Sequence, residues 1–178
     1  QHGTSPRVNL PTTCASGDGR LLTAAGPGAR VLDSCRRQGY VLAVKGKAVR
    51  DYGGRFAACV CCMDGRIQLP LIRFIQDRYG VRYVDIITEP GPIQYLAGHK
   101  NHSVLETIRK RLHISVDIHG SEVIAVSGHY DCAGNPVAKG GQLRQMDGSV
   151  TAIRAWGFAT QRIVKLWVDG NWRVNVVR

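Results

Sequence analysis

The chain has 178 residues, enough for one domain with a proper core but short for two, and its 44% apolar and 21% charged residues are ordinary for a soluble globular protein. No apolar run approaches the ~18–20 residues that a membrane-spanning helix needs. The formal charge of +11 is unevenly spread: residues 1–55 hold nine Lys/Arg against three Asp/Glu, and the rest hold fifteen against ten. In the rest, basic residues such as Arg73, Arg78 and Arg109 are scattered over helix surfaces without interleaved aromatics. That is a solvated basic surface and not a nucleic-acid platform.

Residues 1–52 show no sustained periodicity, and only 40–44 looks strand-like. Gly-Asp-Gly at 17–19 and Gly-Pro-Gly at 26–28 are breakers. This segment reads as a flexible or loosely docked extension, and 53–178 as the folded domain.

From Phe56 the pattern changes. Phe56–Cys62 is a continuous apolar run, as expected for a strand buried on both faces. A helix is expected over 67–79, with Leu71, Phe74 and Ile75 on one side and Pro70 in its first turn. A strand over 81–87 ends at Thr88-Glu89-Pro90-Gly91-Pro92. After a loop holding His99 and His102, Ser103 caps a long helix whose stripe is Val104, Ile108, Leu112 and Val116, stopped by Gly120. The remaining elements are a strand over 122–127, a helix over about 143–156, a strand at Arg162–Val168, a turn at Asp169-Gly170-Asn171 and a last strand over 172–177. Long crossovers between strands imply an α/β fold: a mostly parallel sheet flanked by helices, with a C-terminal antiparallel edge hairpin.

Open parallel sheets place their sites beyond the carboxyl ends of the strands. Two such ends are chemically loaded here: Cys62-Met63-Asp64-Gly65-Arg66 and Gly128-His129-Tyr130-Asp131-Cys132. Cys62, His129 and Cys132 together offer two thiolates and one imidazole, a set that suits tetrahedral zinc. Three protein ligands leave a fourth position open, the mark of a catalytic zinc. Asp64 fits a plain helix N-cap or a partner for Arg66. Arg66 could be a surface charge, but a cation at a helix start is mildly unfavourable, which favours a specific partner. Cys59 and Cys61 read as small core residues, and Asp131 as a residue that stabilises its loop. Three of the six cysteines fall within four residues of one apolar run, unlike a disulfide framework, so the expected setting is reducing and cytoplasmic.

Cys62-x-Asp64-x-Arg66 followed after a long gap by His129-x-x-Cys132 resembles the zinc signature of the β-class carbonic anhydrases. Ser103-Val-Leu-Glu-Thr-Ile and Val-Ile-Ala-Val-Ser-Gly-His fit that family's pattern too, and the likeness covers roughly 54–168. The resemblance implies zinc on Cys62, His129 and Cys132, and a catalytic dyad of Asp64 and Arg66. It implies reversible hydration of CO2 to bicarbonate by a zinc-bound hydroxide, in a homodimer. Hydrolysis of carbonyl sulfide or carbon disulfide, and zinc or anion binding without turnover, are the alternatives. Glu89-Pro90-Gly91-Pro92 motivates them, because the family has an Arg-Asn-x-Gly type segment there and only the glycine survives. After the last ligand the family's Gly-Ala is replaced by Ala133-Gly134. The family's N-terminal helical arm, and the glutamine and aromatic residues of its CO2 pocket, have no counterpart placed in this reading.

Overall fold

Short apolar strands and longer amphipathic helices alternate from Phe56 onward, and in the computed structural model they form a single layered sheet. The structure describes the backbone of four strands within 1–52, and residues 53–158 and 161–178 in full. Gln1–Tyr52 and Gly53–Arg178 are separate compact units. In the first, β1 (Thr12–Ala15), β2 (Leu21–Ala24), β3 (Val41–Val44) and β4 (Lys47–Val49) form an antiparallel sheet in the order β2-β1-β3-β4. Only β3 was legible in the sequence, as part of the apolar run at 40–44; the other strands, of three or four residues, are too short for alternation to register. The breakers at 17–19 and 26–28, and most of the segment expected to be flexible or loosely docked, lie outside the described residues.

The second unit runs β5 (Phe56–Cys62), α1 (Gly65–Tyr79), β6 (Tyr83–Glu89), α2 (Pro92–Gly98), α3 (His102–His113), a π-helical turn (Ile114–Ile118), β7 (Val123–His129), α4 (Lys139–Ala155), β8 (Arg162–Val168) and β9 (Val174–Val177). The sheet order is β6-β5-β7-β8-β9. All its pairings are parallel except β8 with β9. The fold is therefore α/β, a mostly parallel sheet with an antiparallel edge hairpin.

Every residue of β7 is buried, and so is every residue of β5 after Phe56, which is why these strands read as unbroken apolar runs. Ala57, Cys59 and Cys61 pack with Ile67, Leu71 and Ile75 of α1 on one face of the sheet. Ala58, Val60, Ile124 and Val126 pack with α2, α3 and α4 on the other. Each fully buried Leu or Ile contributes about 1.5–3 kcal/mol relative to exposure.

Several boundaries differ from expectation. The α1 helix starts at Gly65, so Pro70 falls in its second turn. The segment expected to be a loop contains α2, whose seven residues are too few for a periodic stripe; Pro92 opens it at N1. Asn101, not Ser103, caps α3, accepting from the Val104 N–H at 3.4 Å. Leu105 joins Ile108 and Leu112 on the buried face of α3, while Val104 is only partly buried. Further on, α4 begins four residues earlier than expected, through Gly140-Gly141. Within it Gly148 lies so close to α2 that a Cβ there would stand 2.9 Å from the Ala97 Cβ. Two helices can touch at that distance only if one carries no side chain at the contact.

From β5 the chain crosses to β6 on one side and then returns to β7 on the other, so the crossover direction reverses between β5 and β7. The β5–β7 ladder ends at Val60↔Val126, ahead of the carboxyl ends of both strands. A crevice at such a switch point is where open α/β sheets bind ligands. Cys62 and His129 are the last residues of those two strands.

Candidate metal centre

Cys62 and His129 are fixed at the crevice by their strands, and Cys132 returns to it three residues after β7. One ligand atom from each of the three lies within 4.8 Å of the others. All three residues are buried, with exposures of 4%, 1% and 4%. The Cys132 and Cys62 sulfurs are 3.7 Å apart. Two sulfurs each 2.3 Å from a tetrahedral centre would be about 3.75 Å apart, so the spacing fits zinc.

The tautomer of His129 is set by its neighbour. Nδ1 lies 2.8 Å from the Tyr130 carbonyl oxygen, which can only accept, so Nδ1 carries the proton and Nε2 presents a lone pair. Among the described residues His129 Nε2 is the buried side-chain nitrogen or oxygen with no hydrogen-bond partner. A buried acceptor without a donor costs about 1–3 kcal/mol, and a metal ion would satisfy it.

Charge at the site points the same way. The Cys132 thiol donates to Cys62, which outweighs burial; His129 and the N–H groups of Gly91 and Asp64 add to it, and the Cys62 pKa falls to about 4. The Cys132 thiol is pushed well above its ordinary range, first by that same hydrogen bond and then by burial. Burial works against charge on His129, yet the Cys62 sulfur and the Tyr130 carbonyl raise its pKa above 6.5. A thiolate and a proton-attracting imidazole side by side form a pocket whose field favours a cation.

The glycine of Glu89-Pro90-Gly91-Pro92 has a physical task. Its N–H points at the Cys62 sulfur at 3.4 Å. Its φ is +57°, and a Cβ would stand 2.6 Å from the Asn135 Cβ and 2.7 Å from the Gly134 carbonyl oxygen. Only glycine fits there. Gln94 of α2 also donates to the Gly134 carbonyl, tying α2 to the loop after Cys132.

Asp64 and Arg66 stand beside this pocket, and the two readings of Asp64 are both realised. Its Oδ1 caps α1 by accepting from the Arg66 N–H at 2.9 Å. The same carboxylate takes the Arg66 Nε at 3.0 and 3.1 Å and Nη2 at 2.6 Å. The Arg66 side chain lowers the Asp64 pKa to about 2, against a smaller opposing effect of burial. Asp131, expected only to stabilise its loop, also reaches Arg66: its Oδ2 is 3.1 Å from Nη1 and its carbonyl oxygen 3.1 Å from Nη2. The Trp172 ring lies 4.6 Å from the Arg66 guanidinium carbon.

Three residues that hold the site escaped the sequence reading. Gln142, Trp172 and Gln68 lie on other elements or a turn away, and nothing in their spacing points to a ligand loop. Gln68 Nε2 donates to the Cys62 carbonyl at 2.6 Å and to the Asp64 carbonyl at 3.3 Å, pinning the β5–α1 turn. His99 caps the far end of α2, about 12 Å along its axis from Gly91, His102 is the first residue of α3, and both are exposed. No described contact joins them to the site.

A family model described as "Putative carbonic anhydrase" matches residues 52–178. The chain belongs to this family. No match to the chain is found among curated proteins. Among solved structures, a β-carbonic anhydrase isoform I from the protozoan Trichomonas vaginalis is 16% identical, with a TM-score of 0.47 over 85% of this chain and 97% of that one. A tetrameric β-carbonic anhydrase from the ascomycete Sordaria macrospora is 11% identical, with a TM-score of 0.38 over 70% of this chain and 82% of that one. No helix among the described residues is long and apolar enough to cross a membrane.

Proposed function

We propose that this protein hydrates CO2 reversibly to bicarbonate, with zinc held by Cys62, His129 and Cys132 and with Asp64 and Arg66 as a catalytic dyad. The observation that carries the proposal is the convergence of two sulfurs and an unpartnered imidazole nitrogen within 4.8 Å, in a chain of a carbonic anhydrase family. When bound, zinc supplies Lewis acidity and makes water available as a nucleophile near neutral pH.

The chain's own residues do the rest. Asp64 is an anion throughout the physiological range, so its remaining lone pair accepts a hydrogen bond from the attacking water and orients it toward the CO2 carbon. Arg66 grips both carboxylate oxygens and keeps the group turned in one direction. The product is an anion, and the chain's excess of basic residues favours holding it briefly at the rim. A cytoplasmic homodimer belongs to the same reading, since β6 and β9 are the outer strands of the five-stranded sheet and such strands invite cover by a second copy.

Stopped-flow CO2 hydration on protein of verified zinc content tests the proposal, with carbonyl sulfide and carbon disulfide as parallel substrates. A rate well above buffer with CO2 is expected. A preference for either sulfur compound would reassign the substrate, and no rate with any of the three would leave a non-catalytic zinc- or anion-binding relative. Light scattering reports the dimer.

A further inference from the structure

Arg66 is 44% exposed, and an arginine on a helix surface ordinarily samples many rotamers. Here two edges and one face of its guanidinium are taken. The Nε–Nη2 edge meets Asp64, the Nη1–Nη2 edge meets the side chain and carbonyl of Asp131, and the face lies on the Trp172 ring. The three partners come from three places: the start of α1, the loop between the zinc-ligand candidates His129 and Cys132, and the turn between β8 and β9.

The turn is built to present that ring. Asp169 Oδ1 accepts the N–H groups of Asn171 at 2.9 Å and Arg173 at 3.0 Å, and the Trp172 N–H returns to the Asp169 carbonyl at 3.0 Å. This places Trp172 at φ +60°, a left-handed conformation that most side chains avoid. Asp131 sits at φ +54°. The ligand loop also touches the hairpin through the Tyr130 N–H on the Val168 carbonyl at 2.9 Å, and the Tyr130 ring packs near Gly170. A bulky residue held in an unfavourable backbone region over a cation has the geometry of a clamp.

We propose that Trp172 and Asp131 are positioning residues that act through Arg66: together they fix the guanidinium so that it delivers both of its Asp64-facing donors in one orientation. The inference rests on the carbonic anhydrase reading for its effect on rate, while the clamp itself stands or falls on a measurement that needs no turnover. Without the ring and the second carboxylate, Arg66 swings toward solvent for part of the time and Asp64 loses its fixed direction.

The test uses the full zinc-loaded chain and the variants Trp172→Leu, Trp172→Phe, Asp131→Asn and Arg66→Ala. Leu at 172 keeps the same backbone strain and apolar packing but no π face, Phe keeps a weaker π face, and Asn tolerates the left-handed backbone at 131 while removing the charge. The first readout is the Arg66 Nε–H signal in a proton–nitrogen spectrum, identified by its absence in Arg66→Ala. It should be slowly exchanging in the parent, weakened in Asp131→Asn, lost or averaged to the free-arginine position in Trp172→Leu, and retained in Trp172→Phe. The second is kcat for CO2 hydration, expected to fall about tenfold or more in Trp172→Leu, less in Trp172→Phe, and no further when Trp172→Leu is added to Arg66→Ala. An unchanged Nε–H signal in Trp172→Leu overturns the clamp, and so does an equal fall in kcat for the Phe and Leu variants. A parent with no turnover would sink the hydration reading alone, and the Nε–H signal would still decide for or against the clamp.

Discussion

The side-chain amide of Gln142 bonds both backbone polar groups of His129: Oε1 accepts its N–H at 3.1 Å and Nε2 donates to its carbonyl at 2.9 Å. Nε2 also reaches the Val137 carbonyl at 3.3 Å. The pairing of β5 with β7 ends three residues earlier, so a helix side chain takes over where the strand partner stops. Gln142 is 2% exposed, and no water can substitute cheaply for the lost bonds.

Gln142→Leu therefore leaves several buried backbone groups unpaired beside a ligand. The expected loss of stability is about 2–4 kcal/mol, with weaker zinc retention. Chemical denaturation of the zinc-loaded variant and parent measures the first, and competition with a chromophoric chelator the second. A loss within ~0.5 kcal/mol would show that the amide is dispensable.

Cys132→Ser replaces the soft sulfur of a candidate ligand with a hard, weakly acidic hydroxyl. Zinc content should fall from about one ion per chain to a small fraction of that, with stability falling alongside because site formation and folding are linked. Full occupancy in the variant, by elemental analysis, would remove Cys132 from the ligand set.

Arg66→Ala separates a dyad from a surface charge. If Arg66 holds Asp64, kcat falls about 10²–10³-fold while zinc stays bound. If it is only an exposed cation, stability moves by no more than ~0.5 kcal/mol and the rate is unaltered. Kinetics beside a zinc determination on one preparation decides between them.

Asp169, in the turn between β8 and β9, gives a pH dependence. The Arg173 N–H, then those of Asn171 and the Asn175 side chain, hold its carboxyl below the ordinary 3.8, against burial. The folded chain thus binds fewer protons than the unfolded chain near and below that pH, so the hairpin's contribution is complete above the unfolded carboxylate range and fades as pH falls through the folded value. Asp169→Asn should be less stable than the parent at pH 6–7, with the gap closing as the pH is lowered through about 4. Denaturation curves for both proteins at stepped pH values measure this. A gap that widens on acidification would contradict it.

Apart from α2, strand and helix order from Phe56 to Val177 was legible in the residues themselves, because buried parallel strands leave unbroken apolar runs and Cys-x-Asp-x-Arg and His-x-x-Cys fall at the ends of two of them. The same local signals placed Cys62, His129 and Cys132 as ligand candidates and set Asp64 beside Arg66, since a strand end followed by a helix start fixes those few residues by backbone geometry alone. What local pattern could not carry was everything supplied from a distance. Helix α2 was too short to show a period, and α4 begins four residues before the expected start, through Gly140-Gly141, residues of low helix propensity. Gln142 and Trp172 join the site from elements 13 residues after His129 and 106 after Arg66, and neither has a spacing rule to betray it. Asp131 looked like a loop residue until its left-handed backbone turned it toward Arg66. Sequence named the groups that can do chemistry, because residue type dictates what a side chain can bind. The fold chose which of their hydrogen-bonding groups are buried, paired and held still, because that depends on which chain segments meet.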